Sequence, residues 1–480
     1  MIRPTITCLI LATLSSVFGT LANGSPSEAS PSTWVADNGD GSFTNPLFYD
    51  EFSDPDLIRV GDDYYLTGTT MHSMPGLPVL HSRDLVNWEL KSYALTELNL
   101  GPEYRLEDGE TIYGQGIWAP SFRYHNGTFH IFANVNGQTT QHFTATDPAG
   151  PWEHRAMKRS LHDLSVLFED DGRAFVVWGY REIRFAQLNA ALDDIVPGTE
   201  RVLISEDAGF GEGAHFYKFK GRYYITCSNY DPIGYMACAR SDRIEGPYEI
   251  TTISAEETFG TGNGWRLEGM GWGEFGEFNL NPPQPHQMGA IPLHQGGIVD
   301  TPAGEWWAVS MTDQNSLGRL TALSPITWQD SWPYFGLPGN LLRTPRTWLK
   351  PTTSEPSPIH APYQRNDSFN GPDLANVWQW NHVPVPEAWS LETRPGYLRL
   401  TAQPADDFWF ARNTLTQRAV GPESVATIIV DPAGLKPGDR GGLALVNYPY
   451  ATLGVSRDSH DGFTIDRIDQ NADAPIQTAL

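Results

Sequence analysis

Five side chains that could take part in hydrolytic chemistry stand at similar distances before a glycine that begins a turn. They lie seven to ten residues ahead of that glycine, and they are Asp54, Trp118, Asp163, Glu212 and His294. Three carboxylates in one confined space repel and desolvate one another, so such a grouping is costly unless it is used. One ionised and one protonated carboxyl group form a general base and a general acid. The spacing therefore predicts a site for acid–base catalysis.

A repeated strand pattern must position these side chains. The stretch from Ser53 to Leu66 reads as a strand, a tight Gly-Asp turn and an aromatic-rich second strand, which is a hairpin. Four more stretches have the same layout, and the five turn glycines are Gly61, Gly127, Gly172, Gly221 and Gly304. Five repeats made of strands and turns predict an all-β, five-bladed β-propeller. The first strand of each blade lines the central channel, so residues at one register should meet at one end of it.

The chain divides into four predicted segments. Residues 1–22 resemble a secretory signal, with Arg3, an apolar run and a small-residue end at Ala22. The propeller is expected over 23–345, and a linker rich in Pro, Ser and Thr over 346–366. Short strands with regular turns over 367–480, among them Ala426–Val430 and Ala451–Val455, predict a β-sandwich.

The signal segment predicts a secreted protein with an extracellular location. No later stretch is long and apolar enough to cross a bilayer. Secretion makes Asn126 and Asn366, each followed by the glycosylation pattern, candidate glycan acceptors. Cys227 and Cys238 flank a predicted hairpin turn, which leaves two alternatives open, a cross-strand disulfide or two buried thiols.

Composition limits the partners. A net charge of −25 argues against binding to nucleic acid, whose phosphates require a basic surface. The 16 tryptophans suit flat contacts with sugar rings, although packing within blades accounts for many of them. A glycine-rich insertion over 256–285 is expected to form part of the rim of the site, with Trp265 or Trp272 near the substrate. We expect a monomer.

On specific motifs the chain resembles glycoside hydrolase family 43, the β-xylosidases and α-L-arabinofuranosidases. The matching stretches follow the family order and begin at Ser53 (Ser-Asp-Pro-Asp), Gly116 (Gly-Ile-Trp-Ala-Pro), Asp163 (Asp-Leu-Ser), Glu212 (Glu-Gly-Ala-His), His294 (His-Gln-Gly-Gly) and Gly318 (Gly-Arg). Phe369–Leu374 and Ala411–Arg418 resemble the concanavalin-like sandwich appended to many members. That sandwich is usually longer, so we expect it to be incomplete here.

The resemblance implies inverting hydrolysis of pentosyl linkages in hemicellulose such as arabinoxylan. It makes Asp54 the general base, with Asp56 as the local rival two residues on. Glu212 is then the general acid, and Asp163 the carboxylate that modulates the acid's pKa and orients it.

The remaining site residues also follow from the resemblance. Trp118 and Arg319 are expected to contact the sugar. The chemistry needs no cofactor, and His294 is the candidate neighbour of a structural Ca²⁺ in the central channel.

Two other functions compete with this interpretation. A retaining hydrolase of the invertase type carries Asn-Asp-Pro, whereas Ser53 precedes Asp54 and Pro55 here. A non-catalytic sugar-binding propeller would have no use for three clustered carboxylates. The choice between arabinofuranosides and xylosides, and between exo and endo action, stays open.

Overall fold

The computed structural model describes residues 34–229, 235–254, 293–313, 317–355, 357–421 and 424–470, together with the backbone of 476–479. The predicted signal over 1–22 and the insertion over 256–285, with Trp265 and Trp272, lie outside the described residues. The fold is all-β, as predicted, and its short helical turns include Pro102–Arg105, Glu206–Ala208, Pro386–Ala388 and Phe408–Phe410.

The first part of the chain forms antiparallel sheets in succession. A short strand β1 (Ser42–Thr44) precedes them. The first sheet holds β2 (Ser53–Val60), β3 (Asp63–Thr69), β5 (Gly76–Ser82) and β6 (Glu89–Leu95), with β4 (Ser73–Met74) between β3 and β5 along the chain. The second holds β7 (Ile117–His125), β8 (Thr128–Val135), β9 (Gln141–Ala145) and β10 (Glu153–Ala156).

Three more four-stranded sheets follow. The third holds β11 (Ser165–Phe168), β12 (Ala174–Trp178), β13 (Ile183–Gln187) and β14 (Arg201–Ile204). The fourth holds β15 (Glu212–Phe219), β16 (Arg222–Asn229), β17 (Tyr235–Ser241) and β18 (Glu249–Thr252). The fifth holds β19 (His294–Asp300), β20 (Trp306–Asp313), β21 (Arg319–Gln329) and β22 (Trp332–Phe335).

The first strands of these sheets adjoin in a closed ring. Strand β2 contacts β7, β7 contacts β11, β11 contacts β15, β15 contacts β19, and β19 contacts β2. Alternate residues of one strand pack towards opposite neighbours, as the two-residue period of a strand requires. Tyr65 belongs to the same buried cluster as Ile117 of the second sheet, whereas Tyr64 and Leu66 belong to a cluster with Val309 of the fifth. The described sheets therefore form a propeller with the first strands innermost.

A β-bulge interrupts four of the five first strands near their beginning. The pairing shifts between Ser53 and Asp56 and between the corresponding residues of β7, β15 and β19. Positive φ angles occur there at Asp54 (49°), Ala119 (39°) and Gly213 (69°), and Asp163, which lies before β11, has a similar φ of 47°. A bulge places two residues opposite one. The single register that we predicted is therefore wrong by one position: Asp54 lies in the bulge, while Trp118, Glu212 and His294 directly precede it.

The predicted linker contains regular structure. Strand β23 (Thr347–Leu349) pairs with β1, which ties the end of the propeller to its beginning. Lys350 then contacts Asp37 and Asp84 through its ammonium group, at 2.6 and 2.7 Å. The segment is thus attached to the propeller along its first residues.

The C-terminal part contains short strands and one regular sheet. They are β24 (Gln379–Asn381), β25 (Trp389–Ser390), β26 (Arg399–Leu400), β27 (Leu415–Thr416), β28 (Arg440–Leu445), β29 (Ala451–Arg457), β30 (Phe463–Asp469) and β31 (Ile476–Ala479). Strands β28 to β31 form a sheet in chain order, and β24 pairs with both β27 and β4 of the propeller. The predicted strand over Ala426–Val430 is wrong, because no strand forms there and Ile429 is 84% exposed.

Cys227 and Cys238 are buried free thiols. On the paired strands Cys227 lies opposite Ala237, and Cys238 lies opposite Thr226. The cysteines are therefore offset by one residue, and their side chains point to opposite faces of the sheet. Of the two alternatives, the structure supports the thiols.

Among the described residues, no helix has the length and apolar character that crossing a membrane requires.

Candidate active site

Asp54 lies at the bulge of β2 and is surrounded by hydrogen-bond donors. Its Oδ2 accepts from the Thr69 hydroxyl at 2.5 Å, and its Oδ1 accepts from Gln295 Nε2 at 3.0 Å and Arg319 Nη1 at 2.9 Å. A carboxylate offers about four lone-pair positions. Three are taken, which leaves room for one water molecule as a further donor. The side chain is 7% exposed, so the group faces a confined space.

Asp56, the rival, is fully occupied by the protein. Its Oδ1 accepts from the backbone N–H of Leu57 and from His215, and its Oδ2 from the N–H of Phe122 and from Arg123. Burial alone would raise the pKa of Asp56, but Arg123 and His215 hold it below its ordinary value. With no exposed surface and four donors, this carboxylate has no acceptor position left for a water molecule.

The other two predicted carboxylates lie together, joined by a histidine that we did not predict. His162 Nε2 is 3.2 Å from Glu212 Oε2 and 3.7 Å from Asp163 Oδ2. One imidazole nitrogen of His162 and one carboxylate oxygen each of Asp163 and Glu212 lie within 4.8 Å of one another. Asp163 Oδ2 also accepts the backbone N–H of Gly213 at 3.1 Å. Asp163 is 5% exposed, whereas Glu212 is half-buried, so Glu212 is the one that a substrate can reach.

Charges within this group shift its titration. Burial raises the pKa of Asp163, and the neighbouring charges of Glu212 and Asp54 raise it further, while His162 opposes them. The hydrogen bond to Glu212 raises the pKa of His162, with Asp163 and Asp54 contributing. His162 and Asp163 therefore retain protons to a higher pH than the isolated side chains would.

Gln295 connects the two parts of the site. Its amide nitrogen bonds Asp54, and the rest of its side chain packs on Gly213, the neighbour of Glu212 in the chain. A Cβ atom at Gly213 would lie 2.1 Å from Gln295 Oε1. Because Gly213 has no Cβ and a positive φ, the Gln295 side chain can lie between Asp54 and Glu212.

The predicted sugar contacts occupy different places around the site. Arg319 reaches Asp54, and its backbone N–H donates to Glu51 Oε2 at 2.5 Å. Trp118 precedes the bulge of β7, is half-buried, and donates its indole N–H to the carbonyl of Gly114 at 3.2 Å. Both side chains retain exposed surface, as contact with a sugar requires.

His294 begins β19 opposite Met311 and is 1% exposed. Calcium prefers six to eight oxygen ligands. Among the described residues, the group of three or more His, Cys, Asp or Glu side chains spaced to hold a metal ion is His162, Asp163 and Glu212, and His294 does not belong to it. The donor set thus gives no support for calcium at His294, and the ion stays a prediction.

The sequence analysis missed Thr69, Gln295 and His162. Thr69 ends β3, and its position is set by pairing with Ser53 across the hairpin. Gln295 and His162 are each next to a predicted residue. The signal that could have found His162 was positional, since it precedes Asp163 as Glu212 precedes Gly213.

Comparisons with known proteins agree with this geometry. The family model described as glycosyl hydrolases family 43 matches residues 43–263, and the β-xylosidase C-terminal concanavalin A-like domain matches 366–478. A putative β-xylosidase of Xylanibacter ruminicola is 32% identical over 408 residues, covering 83% of this chain and 70% of that protein. A non-reducing end α-L-arabinofuranosidase of Bacteroides ovatus is 31% identical, covering 75% and 65%.

A solved structure is similar over most of the chain. It is a bifunctional protein of Bacteroides eggerthii described as combining this family with a CE part, and it is 32% identical with a TM-score of 0.76. The match covers 91% of the present chain and 54% of that protein.

Proposed function

The chain belongs to glycosyl hydrolases family 43 and is thus a glycosidase, and from this premise we propose that it is a secreted, inverting enzyme that releases pentose from hemicellulose. The pentose is an α-L-arabinofuranosyl or a β-D-xylosyl residue. The relatives' names include both activities. The acidic net charge suits a neutral polysaccharide as substrate and disfavours nucleic acid.

In this proposal Asp54 is the general base. Three hydrogen bonds orient its carboxylate, and all three neighbours donate, which is the arrangement that an ionised base requires. The remaining acceptor position takes a proton from water as that water attacks the anomeric carbon. The new C–O bond forms on the face opposite the leaving group, and the configuration inverts.

Glu212 is the general acid. It gives its proton to the leaving oxygen while the glycosidic bond breaks. Asp163 orients the acid, because it accepts the backbone N–H beside Glu212, and repulsion between the two carboxylates opposes their simultaneous ionisation. Trp118 and Arg319 bind the sugar. The chemistry is complete without a metal ion, because proton transfers at Asp54 and Glu212 account for both steps.

One observation carries this proposal. Asp54 keeps a single free acceptor position on one side of Gln295, and on the other side the half-buried Glu212 lies beside His162 and Asp163. A non-catalytic sugar-binding site would not need a base and an acid in two such different environments.

A substrate panel tests the proposal. The protein is incubated with aryl α-L-arabinofuranoside, aryl β-D-xyloside, arabinan and arabinoxylan, and the anomeric configuration of the first product is followed by NMR. We expect pentose release with inverted configuration. Retained configuration would indicate an invertase-like mechanism, and binding of the polysaccharides without turnover would indicate a sugar-binding protein. Asp54→Asn, which keeps the shape of the site, is the matched inactive control.

A further inference from the structure

The motif Ala411–Arg418 in the C-terminal domain has no part in the chemistry described so far, yet its last residue reaches the propeller. Arg418 donates from Nη1 to the backbone carbonyl of Glu51 at 3.3 Å and from Nε to Gln379 Oε1 at 3.4 Å. Three residues further on, the N–H of Gly421 donates to the carbonyl of Tyr49 at 2.7 Å. The C-terminal domain thus holds the segment that leads into β2, three to five residues before Asp54.

The carboxylate of Glu51, whose backbone carbonyl accepts from Arg418, extends towards the site. Its Oε2 accepts the backbone N–H of Arg319 at 2.5 Å, and its Oε1 accepts from the Ser53 hydroxyl. Arg319 in turn donates to Asp54 at 2.9 Å. A Cβ atom at Gly318 would lie 1.5 Å from Glu51 Oε2, so glycine there is what allows the carboxylate to approach the chain before Arg319. Two residues, Glu51 and Arg319, therefore lie between Arg418 and the carboxylate of Asp54.

The charges at this junction are balanced two against two. Asp50 and Glu51 come from the propeller, and Arg365 and Arg418 come from the chain after it. Burial raises the pKa of Glu51, and Arg418 is the strongest of the charges that oppose that rise. The four residues line a small cavity that also borders Thr69, which itself donates to Asp54. An unbalanced charge in a buried cavity costs free energy, so we expect loss of the Arg418 guanidinium to disturb the Glu51 carboxylate.

We propose that Arg418 is a positioning residue of the active site: it balances the carboxylate of Glu51, which holds the backbone of Arg319 and so places the Arg319 guanidinium against Asp54. This inference rests on the proposed function, because Asp54 and Arg319 are given their roles there. It assigns to the C-terminal domain a part in catalysis that is exerted through Glu51 and not by contact with the sugar.

Four variants of the full-length protein test the inference on an aryl pentoside. Arg418→Met removes the positive charge from a side chain of similar length, and Arg418→Lys keeps the charge. Glu51→Met removes the carboxylate that accepts from the Arg319 N–H. The double variant combines Arg418→Met with Glu51→Met and so removes both charges. Arg412→Met is the matched control, because Arg412 also joins the motif to the propeller, at 3.1 Å from Glu107 Oε1, but does not contact Glu51. Melting temperatures are measured for each, and kinetics are recorded well below the lowest of them.

We expect Arg418→Met to lower kcat/KM by roughly ten- to a hundredfold, the effect of a small misplacement in a catalytic site. KM should rise as kcat falls, since a displaced Arg319 binds the sugar less well. A smaller folded fraction would lower kcat alone. Arg418→Lys should recover most of the loss, and Arg412→Met should stay within threefold of wild type. The double variant should lose no more kcat/KM than Glu51→Met alone, because in the proposal Arg418 acts through the Glu51 carboxylate.

Wild-type kinetics in Arg418→Met, or a double variant whose loss equals the product of the two single losses, would overturn the inference. If Arg418→Met does not fold, the kinetics of the double variant, in which the charges stay balanced, test the inference instead. Wild-type kinetics in the double variant would also overturn the inference. Asp54→Asn separates this failure from failure of the proposed function. An inactive Asp54→Asn beside a fully active Arg418→Met leaves the function standing and refutes the positioning role, whereas an active Asp54→Asn refutes the function itself.

Discussion

Replacement of Glu212 by glutamine separates the acid from the base by the leaving group of the substrate. The amide keeps the shape of the carboxyl group and can still accept a hydrogen bond from His162, which lies 3.2 Å away. The change therefore removes the transferable proton and little else. A natural pentosyl linkage has a poorly acidic leaving alcohol and needs that proton, whereas an aryl pentoside with an acidic phenol leaves without it.

General acid catalysis contributes about 10²–10⁴-fold to such a step. Glu212 is half-buried and lies beside His162 and Asp163, so we place the loss for the natural linkage near the middle of that range, about 10³-fold. This corresponds to about 4 kcal/mol of lost transition-state stabilisation. For the activated aryl substrate the loss should be no more than about tenfold, which is about 1.4 kcal/mol.

The assay compares kcat for a pentose-linked oligosaccharide with kcat for a series of aryl pentosides of increasing phenol acidity. In the variant the rate should depend more steeply on phenol acidity than in the wild type. Asp54→Asn is the control, because it removes the water-activating base and should slow all substrates alike. If Glu212→Gln slows the oligosaccharide and the most activated aryl pentoside by the same factor, Glu212 is not the proton donor.

Four further outcomes are expected. Asp54→Asn should lower kcat at least a hundredfold on both substrate types, and retention of a tenth of the wild-type rate would return the base to Asp56. Asp163→Asn should behave as a weaker Glu212→Gln, and the high-pH limb of kcat/KM should move to lower pH because the repulsion between the two carboxylates is gone; an unmoved limb would contradict this. Burial lowers the pKa of His142 to about 3, so the unfolded chain binds more protons than the folded chain below pH 6.5. Stability should therefore fall with decreasing pH by up to about 1.4 kcal/mol per unit for this histidine, and by that much less in His142→Gln, as measured by denaturant titration. Cys227 and Cys238 should react with a thiol reagent only after unfolding, and a reductant should leave the melting temperature unchanged; rapid reaction in the native state would disagree with their burial.

The propeller was predictable because its signals are local and repeated. A glycine turn between two apolar strands fixes a hairpin wherever it occurs, and five such hairpins specify the sheets. The C-terminal strands were less accessible to the same reasoning. Ala426–Val430 has the composition of a strand, but β propensity expresses packing against neighbours and does not create the neighbours. The cysteine pair shows a related limit, since an offset of one residue reverses the face of a side chain and depends on the hairpin register.

Counting residues back from the turns located Asp54, Asp163 and Glu212 but could not say which of them are adjacent. The extra residue at a bulge is invisible to a count, and it places Asp54 one position beyond Glu212. His162 escaped notice because the count selected Asp163, which follows it directly in the turn before β11. Gln295 and Thr69 depend on pairing between distant strands, which one sequence does not display.

The repeated bulge also explains how one irregularity can serve two opposite chemical needs. The left-handed backbone of Asp54, in the bulge, and of Asp163, before β11, costs about 1–2 kcal/mol per residue, a strain that is typical of functional sites. In β2 that conformation places a carboxylate among three donors, and in β15 the same position is Gly213, whose missing Cβ leaves space for Gln295. The carboxylate of β15 is displaced to the preceding position, where it meets His162 from the equivalent place before β11. The positions of Asp54 and Glu212 in their strands differ by one residue. The chain can therefore place the base, Asp54, among hydrogen-bond donors on one side of Gln295, and the acid, Glu212, beside His162 and Asp163 on the other side. Insertion of a side chain at Gly213 should therefore disturb base and acid together, and Gly213→Ala is the substitution in which loss of activity should exceed what loss of stability explains.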